Sequence, residues 1–296
     1  MRVGFGSLTG QRGPADTRSD GERYRETLPL AVEAERLGFD SVWLSEHHFF
    51  EDGYTPSLLV HAAAIATRTN RIAIGTGVLL APLHHPLRLA EDAGTAQLLA
   101  DGRLILGIAQ GWRREEFDRL GIPYTGRHLR LEAIVRTLRE SWANGRVTPK
   151  LDRQPPIWVG AMSEPAVRRA ARLGDGYLAS WSTVEEFSTR VGWAREENPD
   201  VQLAIVLPTF AWEGDYLRHI RAPLAYYVSC FEGNSAIPET LVAGAPDAVA
   251  ERMLAYEETA GGDLSYTAEF CWPGLDRNVL AESMAIFSEA VLPLVR

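Results

Sequence analysis

The chain has 296 residues, 46% of them hydrophobic, and single barrels run to roughly 250 residues, so one domain over residues 1–296 is expected. A net charge of −9, with no cluster of lysines or arginines, excludes the electrostatic footprint of a nucleic-acid binder. Two cysteines, an amino terminus without a charged segment leading into an apolar run, and no window near the ~18 uncharged apolar residues of a membrane span predict a cytoplasmic protein without a membrane partner.

In chain order, β-branched or aromatic runs at Val3 to Ser7, Ser41 to Leu44, Ile72 to Gly75, Leu104 to Gly107, Ile157 to Gly160, Tyr177 to Ala179, Leu203 to Val206 and Leu264 to Phe270 read as strands. Amphipathic windows separate them at Arg23 to Leu37, Leu58 to Arg68, Leu87 to Ala100, Arg127 to Ala143, Glu164 to Leu173, Val184 to Glu196 and Pro246 to Ala260, with a closing helix at Val279 to Leu292. Eight such units joined by right-handed crossovers predict a (β/α)8 TIM barrel. An open doubly wound sheet is the alternative, but no Gly-x-Gly-x-x-Gly follows the first strand. Gly38, Gly102 and Gly174 follow helical windows and are expected as left-handed C-caps. Pro208 to Leu241 carries Trp212, Tyr216, Tyr226, Tyr227 and Phe231 with little periodicity, and is expected to form a lid or part of a subunit interface.

Such barrels place their active sites at the C-terminal ends of the strands. The second strand runs into Ser45-Glu46-His47-His48, a carboxylate beside two imidazoles able to move protons near neutrality. Alternation sends Glu46 and His48 one way and His47 the other, so the three need not act as one cluster. Histidines that only pair or cap a loop are the plainer alternative. The third strand continues into Thr76-Gly77-Val78, where glycine lets the backbone approach a ligand or simply turn. The fourth brings Gln110, Gly111 and Trp112 to the mouth. After the fifth, Ala161-Met162-Ser163-Glu164-Pro165 enters a helix with Ser163 as N-cap; its first-turn amides suit a phosphate, although a helix cap without a ligand reads the same way. Trp181, after the sixth, offers a flat side chain to whatever fills the mouth. His84 and His85 add imidazoles, but without His-x-His or His-x-x-x-His spacing no metal site is expected, and a metal-dependent barrel hydrolase is the weaker reading.

In shared order and spacing, Glu46-His47-His48-Phe49, Gly75-Thr76 with Pro82 and His85-Pro86, Glu91-Asp92, Gly102-Arg103 with Gly107-Ile108, Gly111, Ala161 with Ser163, Ser180-Trp181 and the helix start from Gly244 to Glu251 resemble the bacterial luciferase-like monooxygenases over nearly the whole chain. The resemblance implies a (β/α)8 barrel that holds reduced FMN, or the deazaflavin coenzyme F420, at the strand ends, usually as a homodimer. It implies His47 as the catalytic histidine flanked by Glu46 and His48, and Gly77-Val78 as a cis peptide supporting the flavin face. Ser163, with the amides around Ala161 and Met162, is the implied phosphate site, and Thr76, Gln110, Gly111 and Trp181 complete the expected cofactor contacts.

Gln110 stands where luciferase has an arginine for the flavin phosphate, which removes a bidentate cation. The Glu-His-His tip is the form that FMN users tend to show, so a reduced-FMN monooxygenase of a small organic substrate is the expectation. An F420-dependent reductase or dehydrogenase is the alternative, and a non-catalytic binding homologue the remaining one. With FMN, a separate flavin reductase would supply the reduced ring, since no nicotinamide fingerprint is present. The stretch from Arg146 to Gln154 is shorter than its luciferase counterpart, so light emission is not expected.

Overall fold

Leu203 to Leu207 is apolar without alternation because both faces of the strand are covered, one by the barrel interior and the other by helices, and every residue in it is buried. The structure, a computed structural model, describes residues 1–232 and 236–296. Ten strands pair in parallel: β1 (Arg2–Leu8), β2 (Ser41–Leu44), β3 (Ala73–Thr76), β4 (Leu79–Leu80), β5 (Leu104–Ala109), β6 (Ile157–Gly160), β7 (Gly176–Ser180), β8 (Gln202–Ala211), β9 (Val242–Gly244) and β10 (Leu264–Glu269). Eight of them close in the order β1-β2-β3-β5-β6-β7-β8-β10, with β10 returning to β1, which is the expected (β/α)8 barrel. The other two are short rim pieces, β4 beside the end of β5 and β9 beside the end of β8.

Inside the barrel, the indoles of Trp43 and Trp158 pack with centroids 5.6 Å apart, joined by Leu178, Ala204 and Val206. Glycines make room for them: a Cβ on Gly75 would lie 2.3 Å from the Trp43 ring, and one on Gly176 would lie 2.7 Å from the Trp158 ring. At the opposite end, Arg103 donates to Thr69 Oγ1 and to the carbonyls of Ile72, Ala66 and Thr69 at 2.9–3.1 Å. Glu35 accepts the amides of Asn70, Arg71 and Ile72, so the loop leading into β3 has its backbone groups satisfied.

Gly38 and Gly102 adopt φ of 87° and 77°, as left-handed caps do. Gly174 does not; its φ is −93°, because the chain turns at once into β7 and the Asp175 amide pairs with Ile157 O. It is needed for closeness instead, since a Cβ there would sit 2.8 Å from Gly176 O. The stretch expected to be irregular, 208–241, is largely regular: β8 runs on to Ala211 and a helix spans Leu217–Glu232, while residues 233–235 lie outside the described residues. The C-terminal helical run Arg277–Val295 is long and apolar enough to cross a membrane by length and composition alone. Its Met284, Phe287 and Val291 are buried in the core, and it carries Glu282 and Glu289.

Candidate active site

The strand ends surround a cavity of about 530 Å³, within the ~300–1,000 Å³ usual for small-molecule sites. Its wall brings together ten of the residues singled out from sequence: Glu46, His47, Gly77, Val78, Gln110, Gly111, Ala161, Met162, Ser163 and Trp181. Two others do not reach it. Thr76 is fully buried and its hydroxyl donates to Gly107 O at 2.7 Å, so it ties β3 to β5. His48 lies behind the wall, with its Nε2 2.9 Å from Glu46 Oε1.

The alternation expected for Glu46, His47 and His48 appears as two separate pairs. Glu46 is fully enclosed, and Oε1 also lies 3.4 Å from the Leu80 amide and 3.8 Å from His84 Nε2. Burial alone would raise its pKa, but the His48 and His84 imidazoles outweigh it and hold the carboxyl below its ordinary value. For His48 the same balance runs the other way; burial opposes its charge, and the Glu46 carboxylate carries its pKa above the ordinary 6.5. Glu46 Oε2 has no hydrogen-bond partner, which leaves an acceptor at a residue lining the cavity.

His47 pairs instead with Glu116, Nδ1 to Oε1 at 2.8 Å. Glu116 lies on the short helix Arg114–Arg119, is fully buried, and accepts the His48 amide on the same oxygen at 2.9 Å. A carboxylate oxygen only accepts, so towards it His47 Nδ1 is the donor, which leaves Nε2 as the basic nitrogen. Phe50, Tyr54, Trp112 and Phe231 surround the imidazole at 5.0–5.9 Å between centroids. Phe231 comes from the helix Leu217–Glu232, which also places Tyr227 and Val228 on the cavity wall. Asp52 fastens that helix to the loop after β2: its Oδ2 accepts from Gln11 at 2.8 Å and Tyr226 at 3.2 Å, with Cys230 Sγ at 3.9 Å.

Glu269, at the end of β10, is a second buried acid on the wall and was not among the sequence candidates. Trp181 Nε1 donates to its Oε2 at 2.8 Å, and the Tyr227 hydroxyl to its Oε1 at 3.1 Å. Across the cavity, Ser163 occupies the N-cap of the helix Glu164–Leu173, as expected, but its hydroxyl makes no capping bond. Pro165 has no amide hydrogen and the Ala166 amide turns back to Ser163 O at 2.9 Å, so of the first turn the Glu164 amide, with the Ser163 hydroxyl, is left to solvent or a ligand. Gly77–Val78 is a cis peptide, as the resemblance implied, and a second non-proline cis bond joins Gly6 to Ser7, also on the wall.

The luciferase-like monooxygenase family matches residues 1–211, and the chain belongs to that family. Among curated relatives, it is 31% identical over 201 residues to an F420-dependent glucose-6-phosphate dehydrogenase of Amycolatopsis mediterranei, covering 61% of this chain and 57% of that one. It is 29% identical over 164 residues to the oxygenase component of a flavin-dependent trigonelline monooxygenase of Acinetobacter baylyi, covering 50% of this chain and 46% of that one. The chain thus spans only about half the length of the curated relatives it matches. Among solved structures, monooxygenase RslO1 of Streptomyces bottropensis superposes with a TM-score of 0.87 at 24% identity, over 99% of both chains, a likeness of fold.

Proposed function

We propose that this protein is a flavin-dependent oxidoreductase whose cavity takes reduced FMN and oxygenates a small, apolar or ring-containing substrate. The observation that carries the reading is that one cavity holds both the His47–Glu46 tip and the open N-terminus of the Ser163 helix. The residues suit such a cofactor. Gly77, Gly111 and Gly160 put no side chain into the cavity, Val78 and Leu80 offer apolar surface, and the Ser163 turn offers the serine hydroxyl and the Glu164 amide to a phosphate. When bound, the reduced ring supplies two electrons, for oxygen activation or for reduction of a substrate. The chain's own part is to exclude water with the aromatic box, to keep a negative charge at Glu46, and to take or give a proton at His47 Nε2 while Glu116 holds the ring. A separate reductase supplies the reduced flavin, as the name "oxygenase component" implies for the Acinetobacter relative.

Hydride transfer with F420 is the second reading, favoured by the identity to F420-dependent dehydrogenases. No arginine or lysine lines the cavity among the described residues, so a sugar phosphate is not the proposed substrate. Equilibrium titration with FMN and with F420, followed by absorbance and fluorescence, tests the reading: FMN should bind, and Ser163→Asp should weaken it at least ~10-fold by setting a carboxylate beside the phosphate while still capping the helix. Failure of both cofactors to bind would sink the proposal.

A further inference from the structure

We propose that Glu269 is the substrate-recognising acid of this cavity, a neutral carboxylic acid that donates a hydrogen bond to a carbonyl or hydroxyl oxygen of an uncharged ring-bearing molecule. The assignment deepens the oxidoreductase reading by naming a substrate class, but Glu269's state can be measured without any cofactor.

Three elements close around the group. Ser7 from β1, Trp181 after β7 and Tyr227 from the helix Leu217–Glu232 hydrogen-bond to it, and it is 2% exposed. The other titratable groups coupled to it are Cys271, two residues on, and Tyr54, beyond Tyr227. Among the described residues no cation forms an ion pair with it, whereas the other buried acid of the wall, Glu46, has His48 at 2.9 Å. Without a compensating charge, burial dominates and raises the Glu269 pKa in spite of its three hydrogen bonds. The two acids are therefore driven apart, one towards carboxylate and the other towards the neutral acid, a division that marks distinct roles at one site.

The direction of the acid proton follows from the partners. Trp181 N–H has no lone pair to offer, whereas the Ser7 and Tyr227 hydroxyls have, Tyr227 being able to donate on to Tyr54, so the proton goes to one of these hydroxyls or to the cavity that Glu269 lines. A ligand oxygen is the acceptor that improves on these hydroxyls, since a buried site built to hydrogen-bond rejects a molecule that leaves it unpaired. The charge of that ligand is constrained as well. An anion would enter beside the Glu46 carboxylate with, among the described residues, no arginine or lysine on the wall to offset it.

Infrared difference spectroscopy of the intact chain at pH 7, wild type minus Glu269→Gln, tests this. A protonated-carboxyl stretch should be present in wild type and lost in the variant; in Tyr227→Phe, which keeps the acid but removes one donor, the band should persist at a shifted frequency. Acetophenone, a neutral aromatic ketone, should move the wild-type band to lower frequency, while benzoate at equal concentration should leave it in place. Absence of a carboxyl band that the Gln substitution removes would overturn the assignment, as would a band unmoved by saturating acetophenone, or moved equally by benzoate. A band that behaves as expected in a protein that binds neither FMN nor F420 removes the cofactor reading and leaves Glu269 as assigned; the reverse result removes this inference alone.

Discussion

His47 and His48 are neighbours in the chain yet answer to different carboxylates, Glu116 and Glu46, and only the first reaches the cavity wall. His47→Ala should therefore lower substrate-dependent turnover ~100-fold or more with the fold intact, as loss of a positioned proton carrier does; unchanged turnover would defeat the role. His48 acts through charge, and its signature is in stability. Its folded pKa is raised, so its contribution is complete below the ordinary 6.5 and is lost as pH rises through the folded value. Glu46 is lowered, so its share is present above 4.5 and is lost as pH falls through its folded value. Urea midpoints measured between pH 5.5 and 8, on the order of that window, should decline with rising pH in wild type and flatten in His48→Gln; parallel curves would refute the coupling. At this scale sequence showed the strand-end cluster but not its wiring. Glu116 is 69 positions from His47, on a short helix with no strand-end cue. Glu269 is different: the strand-end rule, applied to the eighth barrel strand as it was to the second, would have found it.

The eight barrel strands were legible as elements because buried parallel strands read as continuous apolar runs between glycine- or polar-bounded helices. What misled was proline. Pro208 within β8 and Pro223 within the helix Leu217–Glu232 interrupt two elements that are otherwise regular, and the segment reads as loop. The rim strands β4 and β9, of two and three residues, are too short to carry a period. Two carboxylates attach the helix over the cavity: Glu269 takes Tyr227 on the cavity side, and Asp52 gathers Tyr226 and Cys230 together with Gln11 from the loop after β1. Asp52→Ala should raise amide exchange in residues 217–232 at least ~10-fold while strands β1 to β3 stay protected, because the local opening loses its anchoring bonds and the sheet does not. Equal rates in both proteins would show that the helix is held without Asp52.

Across the whole molecule, closure of the sheet depends on backbones that come unusually near one another. A Cβ on Gly107 would fall 2.0 Å from Thr76 O, so Gly107→Ala should destabilise at the upper end of the ~1–3 kcal/mol typical of overpacking, read from the urea midpoint. Gly192, mid-helix with nothing within 4 Å, is the contrast; Gly192→Ala should stabilise by ~0.5–1 kcal/mol, and a loss there would contradict the helical account. The same economy of space sets what the site can become. With Trp43 and Trp158 filling the bore, and Gly75 and Gly176 already reduced to bare backbone to admit them, the pocket has no room to deepen. A bulkier guest can gain length only sideways or outwards, by way of the βα loops and the helix above them, over a floor of indoles.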